Sequence, residues 1–99
     1  MAVKVLMRRV PNVGRWIEMN DVLRELRLLA MTQPGYISGE TLLSATDQGT
    51  TMVISTWASV TDWKAYEESD DRKEILAELE VYLAKSVGTE VWVESPVIG

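Results

Sequence analysis

The sequence predicts a ferredoxin-like α+β domain with the order β-α-β-β-α-β and a four-stranded antiparallel sheet. Three observations lead to this prediction. Apolar residues alternate with polar ones in four short segments, and two longer segments carry them at helical spacing. A third observation is the length, because 99 residues suffice for one domain with one hydrophobic core. We therefore place a single domain over residues 1–99.

The first two elements are a strand and a long amphipathic helix. The strand, Ala2–Val10, alternates along its length and ends at Pro11. One of its faces carries Val3, Val5 and Met7. The helix covers Arg15–Met31, with Asn12 as the expected N-cap. It ends before Gly35, which permits the positive φ of a turn.

A β-hairpin follows the first helix. Its strands are Tyr36–Thr46 and Thr50–Trp57, joined by a turn that contains Gly49. The pattern leaves open which face of the second strand meets the helices. The alternatives are Met52, Ile54 and Thr56, or Val53, Ser55 and Trp57. Either choice leaves large apolar side chains on the opposite face of the sheet.

The last third of the chain predicts two more helical segments and a strand. A short helix begins at Ser59, whose hydroxyl is expected to cap it. Ser69 and the two aspartates after it are cap candidates for a helix over Arg72–Lys85. Gly88 is the expected C-terminal stop of that helix. The final strand is Glu90–Glu94.

The sheet face that points away from the helices is predicted to be too apolar to face water. Apolar side chains lie there between charged ones. They are Leu6, Val10, Leu42 and Trp92, with Lys4, Arg8, Glu40, Glu90 and Glu94. A patch of this kind usually marks an interface, and the simplest cover is a second copy related by a two-fold axis. We therefore expect a homodimer.

Composition excludes several classes of function. The chain has no Cys and no His, which removes thiolate metal sites, Cys nucleophiles, the commonest haem ligand and every Ser-His-Asp arrangement. We expect no cofactor and no metal. The net charge of −5 argues against nucleic-acid binding. No apolar run is long enough to span a membrane and the first residues lack a signal-peptide pattern, so we expect a cytoplasmic protein.

One stretch of the sequence is specific. Trp57–Ser69 contains the letters W-A-S at the end of a strand, followed by Trp63 and Tyr66 on one helix face. Pro34–Tyr36 opens the preceding hairpin. With these residues the sequence resembles the antibiotic biosynthesis monooxygenase (ABM) domain family, over roughly Val3–Glu94.

The resemblance implies a fold, an assembly and a choice of activities. It implies a dimeric α+β barrel, in which two sheets pack face to face and each protomer keeps a pocket between its sheet and helices. Similar proteins include cofactor-independent monooxygenases that act on polycyclic phenols or quinols, and haem-degrading enzymes. The haem-degrading branch uses a His that this chain lacks. The resemblance therefore implies oxidation of a small aromatic or polycyclic phenol by O₂, without haem, flavin or metal.

Three residues are the expected catalytic set. Tyr66 stands where many relatives carry His, and it accepts or relays a proton if a nearby cation lowers its pKa from about 10. Arg8 or Arg9, on the central strand, stabilises a phenolate in this hypothesis. Glu40 is an alternative base if burial raises its pKa.

Four residues are expected to bind the substrate in a pocket of roughly 300–1,000 Å³. Trp57, Trp63 and Trp92 offer planar faces for stacking, and Met7 shapes the wall. Core packing is an alternative for these residues, and a place at the dimer seam is a further alternative for Trp92. A rival function also stays open: a non-catalytic dimeric module that binds a small apolar ligand or serves a stress response. An isomerase or decarboxylase on the same barrel is a third.

Overall fold

The computed structural model describes residues 1–97, except for the side chains of 86 and 87, and it confirms the ferredoxin-like α+β fold. The elements in chain order are β1 (Val3–Pro11), α1 (Trp16–Ala30), β2 (Tyr36–Leu43), β3 (Thr51–Trp57), α2 (Val60–Glu67), α3 (Asp70–Glu80) and β4 (Leu83–Val93). The four antiparallel strands form one sheet in the order β2-β3-β1-β4. The predicted domain also included 98 and 99, which lie outside the described residues.

Strand β1 lies inside the sheet and decides which face its neighbours present to the helices. Val5 and Met7 are buried on the helix-facing side. Val5 lies opposite Ser55 of β3, and Met7 lies opposite Val53. Residues paired directly across antiparallel strands share a face. The helix-facing set of β3 is therefore Val53, Ser55 and Trp57, which decides between the two alternatives that the sequence left open.

The start of α1 differs from the prediction, because Asn12 is not its N-cap. The cap position belongs to Arg15, whose side chain makes no capping hydrogen bond to the described backbone. Asn12 instead joins β1 to the segment that precedes β4. Its backbone N–H donates to the Tyr82 carbonyl (2.8 Å), and its Nδ2 donates to the Val81 carbonyl (3.3 Å). Gly14, at φ 77°, turns the chain between Asn12 and the helix.

Two serine caps position the second helical pair. The Ser59 hydroxyl accepts a hydrogen bond from the Asp62 backbone N–H (3.1 Å), which confirms the predicted start of α2. The Ser69 hydroxyl accepts from the Arg72 backbone N–H (3.2 Å) and caps α3. With their starts fixed in this way, α2 turns Tyr66 inward and α3 does the same for Arg72.

The boundary between α3 and β4 was predicted wrongly. The expected helix over Arg72–Lys85 ends at Glu80, and β4 begins already at Leu83, opposite Pro11. Pairing with β1 satisfies the backbone groups of this segment as well as a helix does, and it extends the sheet. Gly88 is consequently not a helix stop. It lies inside β4, where the register against β1 shifts.

The hairpin has a shorter first strand than predicted. Strand β2 ends at Leu43. The Ser44 backbone N–H donates to the Thr50 carbonyl (2.9 Å) across the loop. At the start of the hairpin, Gly35 has φ 83°, and any Cβ there would overlap the Asp62 side chain. This close approach holds the hairpin against α2.

The open face of the sheet, which no helix covers, has the composition that the sequence predicted. Trp92 lies opposite Lys4, and Leu42 lies opposite Met52. The exposed fraction is 58% for Trp92 and 47% for Leu42. Large apolar side chains therefore remain in contact with solvent on this face. Within the described range of 1–97, no helix combines the length and apolarity needed to cross a membrane.

Candidate active site between sheet and helices

An aromatic cluster occupies one end of the helix-covered side of the sheet. Trp57, at the end of β3, is fully buried and contacts three other rings. Its ring stacks on Tyr66 with 5.0 Å between centroids. Edge contacts join it to Tyr36 (5.4 Å) and Trp63 (5.8 Å). This arrangement makes a rigid aromatic wall, since edge-to-face and offset contacts are the favoured geometries.

Two guanidinium groups are buried beside this wall. Arg9 is 7% exposed and Arg72 is 6% exposed. Both donate to the same atom, the Met7 sulfur, with nitrogen–sulfur distances of 3.5 and 3.6 Å. The Arg72 guanidinium also lies 5.2 Å from the Trp63 ring centroid and 5.4 Å from that of Tyr66. Over residues 1–97, neither guanidinium has a carboxylate within 4.0 Å.

The buried position of this pair makes its two positive charges electrostatically unfavourable. Arg9 continues the helix-facing alternation of β1, and Arg72 lies in the first turn of α3. Burial lowers the pKa of Arg9 to about 10, and repulsion from Arg72 adds to the effect. Burial also lowers the pKa of Arg72. An arginine is almost never fully buried without a partner, so such a pair marks a candidate functional site.

Tyr66 does not have the lowered pKa that its predicted role as a proton acceptor requires. Burial raises its pKa above 10.0, and this effect outweighs the opposing influence of Arg72. The hydroxyl donates a hydrogen bond to the backbone carbonyl of Leu26 (3.1 Å). Tyr66 therefore stays protonated at neutral pH and acts as a donor, which leaves it unsuited to accept a proton.

A small cavity separates the aromatic wall and the arginine pair from α1. Its volume is about 50 Å³. The side chains around it include those of Met7, Arg9, Leu26, Ala30, Tyr36, Ser55, Trp57, Tyr66 and Arg72. Within the part of the chain that the structure describes, its lining contains neither His, Cys, Asp nor Glu. The cavity is smaller than the pocket we expected, because the aromatic rings pack against one another and fill that space.

A side-chain hydrogen bond between α1 and β2 lies at the lining of the cavity. Arg27 of α1 donates from Nη2 to the Thr41 hydroxyl of β2 (2.8 Å), and both residues line the cavity. Gly39 leaves room at this point, since a Cβ there would crowd the Tyr36 hydroxyl at 2.6 Å. This side-chain hydrogen bond joins α1 to β2 beside the cavity, and it is easier to displace than a packed core residue.

The structure brings three of the predicted site residues to this cavity. Met7, Trp57 and Tyr66 line it. Trp63 lies behind them, fully buried beneath Arg72. Among the described residues, its indole N–H has no hydrogen-bond partner. Trp63 thus supports the wall from behind and is not part of the lining.

The other three predicted residues lie on the open face of the sheet. Arg8, Glu40 and Trp92 are exposed there, because each stands one position away from a helix-facing residue of its strand. The geometry does not bring them to the cavity. Arg9, named with Arg8 as an alternative, is the arginine of β1 that reaches it. Arg72 was missed, since a charged residue in a first helical turn ordinarily signals only a solvated helix end.

A second cavity meets the first at the arginine pair. Its volume is about 180 Å³, and Met7, Arg9 and Arg72 border both spaces. Two carboxylates, those of Glu67 and Glu80, belong to this second lining, and so does the predicted site residue Arg8. The pair therefore stands between an aromatic compartment without carboxylates and a more polar one that contains them.

Comparison with known families identifies a match over much of this structure. The family model described as antibiotic biosynthesis monooxygenase matches residues 8–78. The matched range is well over half of the chain. It includes the W-A-S stretch, both buried arginines and the four rings of the aromatic wall. A search of curated proteins gives no match to this sequence.

Solved structures share the fold at low sequence identity. A conserved protein from Methanosarcina mazei Go1 superimposes with a TM-score of 0.88 at 16% identity, covering 96% of this chain and 94% of that one. SnoaB, a cofactor-independent oxygenase from Streptomyces nogalater, gives 0.85 at 13% identity, with 98% and 96% covered. A Mycobacterium tuberculosis protein gives 0.85 at 17% identity over 100% of both chains. These similarities establish the fold.

Proposed function

This chain belongs to the antibiotic biosynthesis monooxygenase family, and from that premise we propose that it is a cofactor-independent monooxygenase. Its substrate class in this proposal is a small aromatic or polycyclic phenol or quinol, which O₂ oxidises. One observation carries the proposal: an aromatic cavity bordered by two buried guanidiniums, Arg9 and Arg72, that lack a carboxylate partner among the described residues.

The buried positive charge suits the chemistry that this reaction needs. A phenol reacts with O₂ after it loses its proton, because the phenolate is the better electron donor. Positive groups that are fixed in a site of low polarity stabilise such an anion far more than they would in water. Arg9 and Arg72 would take this role, while the Tyr66 ring and Trp57 hold the planar ligand. The phenolic proton passes to water, since no base lines the described cavity.

The atoms and electrons of the proposed reaction balance without a further reductant. For a phenol whose ring carries a methylene group, one electron passes from the phenolate to O₂ and gives a substrate radical and superoxide. In their combination a C–O bond forms at the methylene carbon while one of its C–H bonds breaks, and the released proton moves to the peroxide oxygen to give a hydroperoxide. Loss of water then leaves a carbonyl. One CH₂ group and one O₂ have become one C=O group and one water.

Substrate entry in this proposal requires the cavity to open. At about 50 Å³ it holds small molecules such as O₂ or water, and an aromatic ring needs more room. Displacing the Arg27–Thr41 hydrogen bond opens the space between α1 and β2 without unpacking the core. Loops and surface side chains commonly close over a substrate in this way to exclude water.

Oxygen consumption tests the proposal. The purified protein is mixed with 1,8-dihydroxyanthrone, and O₂ uptake is followed together with formation of the quinone. We expect one O₂ consumed per quinone formed, and a rate that chelators leave unchanged. Arg72→Gln should lower turnover tenfold or more, which corresponds to about 1.4 kcal/mol of transition-state stabilisation.

Arg24→Gln is the matched control for that substitution. Arg24 lies on the exposed side of α1, so the variant removes the same charge away from the cavity. Its turnover should equal that of the original protein. If the original protein fails to accelerate oxidation of the anthrone and of a panel of naphthols, the monooxygenase proposal is wrong.

One observation favours the rival function, a binding module without catalysis. The described lining of the cavity offers no group that titrates near neutral pH and accepts a proton. A protein that only holds an anionic or aromatic ligand needs no such group. Binding of a naphthol without any O₂ uptake would support this second candidate.

We also propose that the protein forms a homodimer through the open face of the sheet. The proposal is supported by the exposed apolar side chains there, including Leu42 and Trp92. Charged residues such as Arg8 and Glu40 lie among them, and opposite charges of this kind can pair across a two-fold axis. Stable homodimer interfaces bury on the order of 2,000 Å² or more in total.

Adjacent leucines of β2 provide a matched test of this assembly. Leu42 lies on the open face, and Leu43 lies on the other side of the strand with 60% of its surface exposed. Light scattering at micromolar concentration should show a dimer for the original protein and for Leu43→Glu. Leu42→Glu should shift the equilibrium to monomer. A monomeric original protein would contradict the proposal, and so would a dimer that tolerates Leu42→Glu.

A further inference from the structure

We propose that the ligand of the aromatic cavity is an aromatic acid, whose ionised carboxylate is bound jointly by Arg9 and Arg72. This inference rests on the proposed function and deepens it, since it names the charge that the substrate carries on arrival. The chemical class is a planar ring with a carboxylate next to the phenolic hydroxyl.

The count of charges leads to this class. Two buried cations lie side by side, and a phenolate formed during the reaction supplies only one negative charge. Over residues 1–97, neither arginine pairs with a carboxylate of the protein. An anion that arrives with the ligand offsets the second charge. Burying like charges together without such an anion would leave a large unfavourable electrostatic term.

The geometry indicates where the carboxylate binds. Both guanidiniums point at the Met7 sulfur, at 3.5 and 3.6 Å, so their donors converge on one place at the cavity wall. A thioether sulfur is a weak acceptor. A carboxylate has two oxygens that accept charge-assisted hydrogen bonds, which are roughly twice as strong as those between neutral groups. With carboxylate oxygens in place of the Met7 sulfur as acceptors, both arginines therefore make stronger hydrogen bonds.

The acidic residues nearest to the pair do not take this place. Glu67 and Glu80 line the second cavity, on the far side of the arginines from the aromatic wall. Glu67 is engaged with Lys64 at 3.5 Å on the surface. Its charge acts on Arg72 only from a distance and leaves the pKa of Arg72 lowered. The aromatic side of the pair is thus the side that lacks negative charge.

Isothermal titration calorimetry at pH 7 tests the inference with two probes of nearly equal shape. Salicylate carries the carboxylate, and salicylamide replaces it with a neutral amide. We expect salicylate to bind at least tenfold more tightly to the original protein. Equal affinities, or no measurable binding of salicylate at millimolar concentration, would overturn the inference.

Variants locate the binding groups. Arg9→Gln and Arg72→Gln should each weaken salicylate binding tenfold or more and leave salicylamide binding nearly unchanged. Arg24→Gln, on the exposed side of α1, should bind both probes as the original protein does. If the salicylate preference survives both buried-arginine substitutions, the inference is wrong. The comparison of probes on the original protein remains decisive even if a variant fails to fold.

The outcome also separates this inference from the monooxygenase proposal. If the protein prefers salicylate through both arginines but oxidises no phenol, the aromatic-acid site is supported and the monooxygenase proposal is wrong. If the protein oxidises neutral phenols and shows no preference for the acid, the monooxygenase proposal is supported and the aromatic-acid site is wrong.

Discussion

The two hydrophobic clusters on the helix-covered side of the sheet have different chemistry. The aliphatic cluster consists of Met19, Val22, Leu23, Leu26 and Leu79. The aromatic cluster consists of Val3, Val5, Met7, Ala30, Trp57, Trp63 and Tyr66. The first buries hydrocarbon and one thioether. The second contains the Tyr66 hydroxyl, which donates to the Leu26 carbonyl, and the Trp63 indole N–H, which has no partner among the described residues. It lies against two buried guanidiniums.

This difference gives the two clusters different roles, since one stabilises the fold and the other borders the candidate site. The aliphatic cluster joins α1 to α3 and contributes the favourable free energy of apolar burial. The aromatic cluster stores unfavourable terms: desolvated charge, an unpaired donor and a cavity. Such terms persist at sites where binding or catalysis requires them, and the rest of the protein offsets them. Substitutions in the aliphatic cluster and substitutions of the buried arginines beside the aromatic cluster should therefore change stability in opposite directions.

The largest expected effect is loss of stability from Leu79→Ala. Leu79 of α3 is 1% exposed in the aliphatic cluster. Deleting its branched end leaves a cavity and should lower the free energy of unfolding by about 2–5 kcal/mol, as measured by urea denaturation. Leu28→Ala is the control, because Leu28 is 58% exposed on α1 and its loss should change stability by less than about 0.5 kcal/mol. A small effect at Leu79 would mean that the aliphatic cluster does not carry the stability.

The opposite sign is expected for Arg9→Met. This substitution replaces a buried charge beside another cation with an apolar side chain of similar length. Replacing buried charge by well-packed apolar groups can stabilise a protein by about 1–4 kcal/mol. We expect a higher free energy of unfolding, together with loss of salicylate binding. Arg24→Met, at an exposed site, should change neither. A destabilised Arg9→Met protein would mean that Arg9 serves the fold, and the contrast between the clusters would fail.

The fold could be read from the sequence wherever periodicity and caps acted locally. Alternation in β1 identified its buried face, and the Ser59 cap identified the start of α2. The end of α3 could not be read, since residues 81–85 suit a helix or a strand. The pairing of Leu83 with Pro11, which is distant in the sequence, favours the strand. That contact lies outside any local window of sequence.

The lining of the candidate cavity could be predicted only in part from the sequence, for a related reason. Trp57 and Met7 were predicted from a planar ring and an adaptable thioether, and Tyr66 from its place in the family resemblance; all three line the cavity. Arg72 was not, since its burial depends on how α3 packs over β1. Arg8 and Glu40 were chosen for their chemistry, but strand alternation places them on the open face. Residue type indicates possible chemistry, whereas the pleat and the helix packing decide access.

A smaller effect is expected for Tyr66→Phe, which keeps the ring stacked on Trp57. The hydroxyl donates to the Leu26 carbonyl, and its loss should cost about 0.5–1.5 kcal/mol of stability in thermal or urea unfolding. We expect turnover of the anthrone to be unchanged. Tyr82→Phe is the control, because the Tyr82 hydroxyl has no hydrogen bond among the described residues. A tenfold loss of turnover at unchanged stability would instead make Tyr66 a catalytic residue.

The smallest expected effect is the response of salicylate binding to pH between 6 and 9. Burial raises the pKa of Tyr66, so its phenol stays neutral in this range. Burial lowers the pKa of Arg9, but only to about 10, so its guanidinium stays charged. Arg72 faces the same point, and Glu67 and Glu80 face the pair from the second cavity. The sequence has no His, the side chain that ordinarily titrates in this window.

The affinity measured by calorimetry should therefore be flat from pH 6 to 9. It should fall as the pH rises through about 10, because Arg9 then loses its proton and its attraction for the carboxylate. Arg9→Lys keeps a cation at the same position and tests whether the fall belongs to this residue, since its own proton loss should move the fall to a different pH. An inflection between pH 6 and 9 would show that a group outside the arginine pair controls binding. In that case the unusual chemistry of the aromatic cluster would not be what recognises the ligand.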